Sequence, residues 1–508
     1  MRISGAPLLV LAASLGFLLC QPLAIGRADE SHLLHGARRV LDGEVLYRDV
    51  FEWIAPLGFY FFAAVYRVFG TTLAAARIAM AFINAIGAAA MFLLTRDIAG
   101  AGAATLATML FVGVCLPAWP VASAHWMSTT LALITATVVL RPPAVSAGRW
   151  RPLAAGSLTG LAVCVQQQRG VFLALWLGIV IPLVALAAPR TGWWRRVTRD
   201  LAYAAGGAVG VVVVILGAAA SAASPAALIS ALYRFPVETY AETMAANVSW
   251  AEAIPLATGT LPYTWHWLLR VAPIFPVLET AVLVGRIRRG LTGAELARAS
   301  VCLLGGLMAL SIWYLRDFIH VAFVTPVLLI PGASLLAVLQ ASIQRRGPST
   351  HRIVVAALVG ACAIVAVKGV VDVRRAYAAA PVQLDSGFGR LRVGADLAPL
   401  YAAVRRHLVR EPDGRMLAYS FPDDAWLYLT LPAHDTARFD FMMPNFPARY
   451  VDEITGMLWA RVPGMVVLLR PIPAGRIRDA VGAAYDLAEQ VGPYDVYVRR
   501  GSVPPLAR

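Results

Sequence analysis

Lysine is almost missing from this chain. Lys368 is the only one, and arginine supplies the rest of the 44 Lys and Arg residues. That bias reads as a genomic preference and carries no functional message. Charge of either kind is scarce, at 14% of residues, while 59% are hydrophobic and the mean hydropathy is +0.68. Soluble domains carry about 25% charged and about 45–50% apolar residues. A single water-soluble core is therefore excluded, and lipid is the simpler solvent for the apolar excess. Cysteine is also sparse. Cys20, Cys115, Cys164, Cys302 and Cys362 each lie in an apolar run, which excludes a disulfide framework and cysteine metal spacing. The polar C-terminal stretch has no nucleotide-binding glycine loop, no GxSxG and no metal-ligand cluster.

What is present is a series of apolar runs. A spanning helix needs about 20 apolar residues. Candidate spans lie near 6–25, 73–94, 103–117, 119–140, 153–166, 170–188, 201–223, 263–284, 298–314, 318–340 and 353–371, about eleven in all. The first is read as a retained anchor, because no small-residue cleavage site follows it. The net charge of +15 resides in the membrane part: up to Val371 there are 27 Lys and Arg against 14 Asp and Glu, and from Asp372 onward 17 against 15. A basic stripe for nucleic acid is thus not indicated. The arginines fall in the segments 141–151, 190–199, 286–298 and 345–352, all on one side if the N-terminus is cytoplasmic. The acidic residues, among them Asp29, Glu30, Asp42, Asp49, Glu52 and Asp317, fall on the other side. An odd number of spans places the C-terminal stretch there too.

The chain thus divides into a polytopic α-helical membrane domain, 1–371, with an extracytoplasmic loop at 26–70, and a small α/β domain, 372–508. Within the loop, Leu33, Leu34, Ala37, Val40 and Leu41 form one helical face, and His32, His35, Arg38 and Arg39 the other. This pattern predicts a helix lying in the membrane interface, stopped by Gly43. A second short helix is expected from Pro56 to Gly70, its Tyr60, Phe61, Phe62 and Tyr66 suited to an aromatic belt. In the last domain the periods alternate between 3.6 and 2. Helices are expected at 396–410, 451–461 and 477–490, and strands at 416–420, 465–469 and 494–498.

Asp29 and Glu30 are the first acids outside the first span. Carboxylates at a membrane surface hint at function, while Asp29 or Ser31 would serve equally as the cap of the interfacial helix. Here the chain resembles a family. Ala28-Asp29-Glu30, then Gly43, Tyr47, Arg48 and Asp49, then Pro56, Phe69-Gly70 and Arg77 are similar to the type C membrane glycosyltransferases. Within these, the group of dolichyl-phosphate-mannose protein mannosyltransferases, aminoarabinose transferases and lipopolysaccharide core glycosyltransferases is nearest. The likeness spans about residues 1–340 in architecture and is densest at 28–77. It implies that Asp29 is the catalytic base with Glu30 beside it, and that Tyr47 and Asp49 belong to the substrate-binding set. It also matches Arg169 before Gly170, at a break between two spans, and Arg316, Asp317 and His320 ahead of a span with Pro326. These would hold the donor. Read without the family, Arg169 is a polar cap on a turn and residues 314–320 a solvated outer loop. The chain departs from the family at Ser31-His32, where a bulky aromatic or an arginine is common.

The chemistry implied is transfer of a sugar from a polyprenyl phosphate. An acceptor hydroxyl attacks the anomeric carbon with inversion while a carboxylate removes its proton. The transition state is oxocarbenium-like, and arginine forks suit the leaving phosphate. No cofactor is implied. A divalent metal on His32, His35 or His320 lacks supporting spacing. The expected partners are the lipid-linked donor, the bilayer and an envelope acceptor of unspecified kind. The expected place is a bacterial inner membrane with the last domain periplasmic. A transporter or flippase-like protein competes with this reading, but no inverted repeat is visible. An inactive envelope scaffold is the third reading. The outer loop 224–262 is long enough to fold over a site, its aromatics suited either to a sugar or, more commonly, to the membrane interface.

Overall fold

The computed structural model describes residues 5–26, 29–141, 148–186, 192–240, 265–287, 292–313, 317–345, 348–422, 424–442, 446–472 and 474–501. Every apolar run named above contains helix, and seven helices are long and apolar enough to cross a membrane. These are Leu73–Ala99, Ala101–Ala118, Gln167–Ala185, Trp193–Ala223, Gly293–Leu310, Phe318–Gln344 and Ser349–Ala379. Shorter apolar helices occupy Ala6–Leu19, Leu57–Phe69, Ala124–Leu140 and Ile274–Gly285. A count of eleven spans is therefore not established by length.

Local chemistry sets the helix starts. Thr72 accepts from Ala75 N–H (3.1 Å), Ser123 from His125 N–H (3.1 Å) and Asp317 from His320 N–H (2.8 Å), each satisfying a donor at a helix start. Glycine sets close approach. A Cβ on Gly170 would lie 2.3 Å from Val163 Cα, so only glycine lets the chain reverse tightly between Trp150–Val165 and Gln167–Leu186. A Cβ on Gly36 would meet the Phe59 ring at 2.8 Å, which keeps Asp29–Leu41 tight against Leu57–Phe69.

The two ends of the bundle differ. At one end Arg141 pairs with Asp97 (2.7 Å) and Arg151 donates to the Arg141 carbonyl (2.8 Å), joining arginine-rich turns. At the other end the helix Pro348–Ala379 runs past the last apolar residues into a hairpin. Its strands are β1 (Val382–Ser386) and β2 (Gly389–Val393). This hairpin is stitched to the bundle: Ile25 N–H donates to Arg392 O (3.0 Å), Arg392 N–H to Leu23 O (2.8 Å), and Leu73 N–H to Phe388 O (3.1 Å).

The rest of the C-terminal unit is a five-stranded sheet of β3 (Leu417–Phe421), β4 (His434–Asp435), β5 (Met465–Leu469), β6 (Tyr485–Val491) and β7 (Tyr494–Arg499). The order is β4-β3-β5-β7-β6. β3 is parallel to β4 and β5, and β7 is antiparallel to β5 and β6. The expected helix at 477–490 is half right: Arg476–Ala484 is helical, but Tyr485–Val491 is a strand. Leu487, Ala488, Glu489 and Gln490 have good helix propensity. Pairing with β7 across the turn at Gly492 (φ 52°) overrides it. One apolar cluster joins β3 and β5 to Phe51 and Phe235 from the membrane part, so the sheet is docked on the bundle.

Candidate active site

The helix Asp29–Leu41 heads the site. Both of its faces are covered by protein. Leu33, Leu34 and Ala37 are buried, but so are Glu30, His32, His35 and Arg39 on the polar face. The C-terminal unit covers that face. His35 Nδ1 meets Asp440 (2.7 Å), and His35 stacks on Tyr428 with 5.0 Å between centroids. Arg39 donates to Asp440 (2.9 Å), the Ala437 carbonyl (3.1 Å), Glu44 (2.6 Å) and the Asp49 carbonyl (3.0 Å). Arg38 donates to the Tyr428 carbonyl (3.0 Å). Burial raises the Asp440 carboxyl, but His35 and Arg39 outweigh it and hold the group below its ordinary range. Asp435 behaves oppositely, pushed well up by burial and by Asp440. The ligand atoms of His35, Asp435 and Asp440 lie within 4.8 Å of one another, as a metal site would require. Arg39 places its guanidinium in this cluster and supplies the positive charge.

Beside this helix opens a cavity of about 660 Å³. Asp29, His32, His125, Gln166, Asp317 and His320 line it, together with the rings of Trp53, Tyr240 and Phe441. Asp29 keeps solvent-accessible surface, yet protein atoms crowd its carboxyl. That desolvation pushes its pKa up, the positive fields of His320 and His32 oppose the rise, and Asp317 adds to it. Asp317 is the reverse case. Burial raises it, but the hydrogen bond from His320 (2.9 Å to Nδ1) prevails and lowers it. His320 packs edge-on to His125 with 5.1 Å between centroids, and His125 stacks on Phe323 at 4.6 Å. Gln166 fixes His125 Nδ1 at 2.7 Å.

The other expected site residues are placed as follows. Glu30 faces away from the cavity, into Arg77 (2.7 Å) and the Ala122 N–H (2.8 Å), and burial raises its pKa. It anchors the head of the helix that presents Asp29. Arg169 is buried behind the wall, donating to the His125 carbonyl (3.2 Å), Ser128 (3.3 Å) and Thr129 (3.4 Å), with its guanidinium 5.3 Å from the Phe323 ring. Tyr47 and Asp49 are outside the cavity lining. They build a turn instead: Asp49 accepts from Val45 N–H (2.9 Å), and Tyr47, at φ 70°, donates its hydroxyl to Ile54 O (2.8 Å). Arg316 and most of the outer loop, 241–262, lie outside the described residues. Phe62 and Tyr66 are buried in the core and not free for an aromatic belt.

Sequence reasoning passed over His125, Glu52 and Asp440. His125 had a signal, an ionisable residue inside an apolar run. Asp440 had none, because its partner His35 is 405 positions away. Paired charges also lie inside the apolar helices. Glu279 pairs with Arg298 (2.5 Å) and accepts from Ser334 (2.8 Å), and Lys368 pairs with Asp372 and donates to Gly113 O (3.0 Å). None of them lines the cavity.

No family model matches the chain, and no curated protein matches it by sequence. Solved structures do resemble it. ArnT from Cupriavidus metallidurans bound to undecaprenyl phosphate superposes with a TM-score of 0.59 at 16% identity, over 98% of each chain. The Archaeoglobus fulgidus oligosaccharyltransferase, in complex with Zn and sulfate, gives 0.56 at 13% identity over 97% of this chain and 74% of that one. The arabinofuranosyltransferase AftD from Mycobacteria gives 0.50 at 14% identity, over 98% of this chain and 40% of that one. Bundle, cavity-bearing loop helix and C-terminal unit thus come together in one known architecture, and the chain has the fold of the type C membrane glycosyltransferases.

Proposed function

We propose that the protein transfers a sugar from a polyprenyl-phosphate donor to a hydroxyl of an envelope lipid, glycan or protein, with inversion, inside the cavity at Asp29. The observation that carries this reading is the placement of Asp29: a carboxylate with raised pKa, on the wall of a cavity large enough for a glycosyl unit, facing Asp317, His320 and His125. A base with a pKa lifted toward neutrality accepts a proton more readily than an ordinary aspartate. Asp317 holds His320 in one orientation across the cavity. Arg169, behind the histidines, adds positive charge on the side where the leaving phosphate would collect it. The aromatic groups Trp53, Tyr240 and Phe441 offer flat surfaces for a sugar ring. The bound undecaprenyl phosphate in the ArnT structure supports a polyprenyl carrier. The arginine-rich segments of the sequence support a cytoplasmic side opposite the cavity, and so a periplasmic cavity and C-terminal unit in a bacterial inner membrane.

The test uses protein in lipid nanodiscs with a panel of synthetic undecaprenyl-phosphate sugars, reading release of undecaprenyl phosphate. At least one sugar should be turned over. Asp29→Asn keeps the shape and hydrogen-bond acceptor but cannot take a proton. It should insert and fold normally while turnover drops by about 10²–10⁴-fold. Full activity of Asp29→Asn would reject this base and shift attention to Asp317, the other carboxylate among the cavity residues. Turnover of no sugar in the panel, with the lipids shown to bind, would reject the transfer reaction.

A further inference from the structure

Among the described residues that line the cavity there are two aspartates, Asp29 and Asp317, but no lysine or arginine. A phosphate bound there needs other donors, backed by positive charge behind the lining. His125 is where the two meet. It stands in the first turn of the helix Ala124–Leu140, and its ring is fixed on several sides. It stacks on Phe323 with 4.6 Å between centroids, His320 packs edge-on at 5.1 Å, and Gln166 holds Nδ1 at 2.7 Å. A chain of hydrogen bonds sets the tautomer. Arg169 donates to Ser128 Oγ (3.3 Å), the Ser128 hydroxyl lies 3.0 Å from Gln166 Oε1, and the Gln166 amide nitrogen donates to His125 Nδ1. The Ser128 hydroxyl is also within reach of the His125 carbonyl (2.8 Å). Arg169, Ser128 and Gln166 are all buried. A ring nitrogen that accepts carries no hydrogen, so this imidazole is neutral with its hydrogen on Nε2. Nε2 has no hydrogen-bond partner among the described residues and is not sealed in protein, and the residue lines the cavity.

We infer that His125 binds the leaving phosphate as a neutral hydrogen-bond donor through Nε2, with Arg169 supplying the positive field behind it. The inference rests on the reading of this cavity as the place of transfer from a polyprenyl phosphate. Asp29 and Asp317 repel an anion, so the phosphate settles where Arg169 backs the lining. Arg169 donates to the His125 carbonyl at 3.2 Å, which makes that place His125. The acceptor oxygen bonds to the anomeric carbon as the bond from that carbon to the phosphate oxygen breaks. The bonding pair stays with the phosphate, and the hydroxyl proton passes to Asp29. Negative charge grows on the phosphate oxygen, and a hydrogen bond already aimed at it strengthens without reorganisation. His125 keeps its proton throughout. The charged and titratable groups around the ring are Arg169 from the helix Gln167–Leu186, Asp317 and His320 from the start of Phe318–Gln344, and Asp29 from Asp29–Leu41.

The experiment measures the Kd of undecaprenyl phosphate in nanodiscs, which needs no turnover, together with thermal unfolding. His125→Phe keeps a ring to stack on Phe323 but has no donor, and should weaken binding about tenfold or more. His125→Gln offers a neutral donor again and should regain most of the loss. Gln166→Glu tests the tautomer. A carboxylate accepts from Nδ1–H, so Nε2 remains a donor only while the ring is imidazolium. The affinity of Gln166→Glu, taken as a ratio to the unaltered protein, should hold at acidic pH and fall as pH rises through the imidazole range. The ratio removes the titration of His320, Asp29, Asp317 and the phosphate itself. A ratio that stays level or favours Gln166→Glu would mean that the Gln166 amide is turned over and Nε2 is an acceptor, and it overturns the inference. So does His125→Phe binding within about threefold of the unaltered protein, and so does an equal loss in both His125 variants with unfolding lowered alike. Asp29→Asn separates the two readings. It should bind undecaprenyl phosphate at least as tightly, having lost a negative charge, while transfer disappears. Transfer intact in Asp29→Asn rejects the base and leaves the role of His125 standing. Failure of the unaltered protein to bind undecaprenyl phosphate rejects both.

Discussion

Asp29 illustrates how one residue type takes opposite roles according to its surroundings. It and Asp317 face the same cavity, yet crowding by protein lifts the first and a histidine hydrogen bond lowers the second. The pH dependence follows with a definite sign. A base must be ionised to act, and a raised pKa means that Asp29 takes up its proton at higher pH than an ordinary aspartate. Activity should therefore fall, as pH is lowered, in a range above the usual carboxylate one, and kcat/KM against pH should show this limb. A limb at the ordinary aspartate pKa would mean that the carboxyl is hydrated during turnover. Arg169 makes a separate prediction. If its charge reaches the leaving phosphate, Arg169→Ala should cost about 1.5–3 kcal/mol of transition-state stabilisation, which is about tenfold or more in rate. Arg169→Lys retains the charge but loses the fork, and should recover part of the loss. Equal activity in all three proteins would leave Arg169 as a packing residue of the histidine wall.

At the scale of elements, the helix Asp29–Leu41 is held by both of its faces. Leu33, Leu34 and Ala37 hold it to the bundle, and His35 and Arg39 hold it to Asp440. Asp440 is next to Phe441, which lines the cavity, so one clamp ties this helix to the cavity lining. Removing one partner of a buried ion pair leaves the other unpaired in low dielectric. Asp440→Asn should therefore destabilise the protein by about 3 kcal/mol, read as thermal unfolding in detergent, and should reduce transfer even though residue 440 never meets the reacting atoms. Unchanged stability would mean that Asp435 alone satisfies Arg39.

At the scale of the whole molecule, the contacts of Arg141 with Asp97 and Arg151 lie at one end of the bundle and the hairpin and sheet at the other. This predicts the outcome of reporter fusions. Fusions at Arg195 and at Arg288 should report a cytoplasmic position, and fusions after Arg500 a periplasmic one. A cytoplasmic signal from the C-terminal fusion would put the cavity on the side where the family resemblance does not expect it. The hairpin β1–β2 also has meaning at this scale. It bonds to Leu23 and Ile25 on one side and Leu73 on the other, fixing the C-terminal unit to the two chain segments that flank the loop bearing Asp29.

Much was legible in the sequence, and each part had a local cause. Apolar runs require helices wherever lipid is the solvent, since a spanning backbone must satisfy its own hydrogen bonds. Arginine placement sets their sense. The helix at 29–41, the short helix ending at Gly70 and the strand at 465–469 follow from periodicity and from residues that stop or start elements. That a helix begins at Asp29 was legible from the acids and capping residues after the first span. What only the tertiary structure decided depends on residues far apart in the chain. The polar face of the helix at 29–41 reads as a water-facing surface until Asp440, Ala437 and Tyr428 arrive to cover it. The stretch 485–491 reads as helix until β7 pairs with it. Tyr47 and Asp49 read as substrate contacts until the turn they build is seen to be occupied by its own backbone. Glu52 reads as one loop acid among several until it is seen buried against His32 and the N–H groups of Trp53 and Ile54. Local propensity and hydropathy act over a few residues, whereas partners for buried charge are chosen by packing, and packing is settled only when the C-terminal unit has docked.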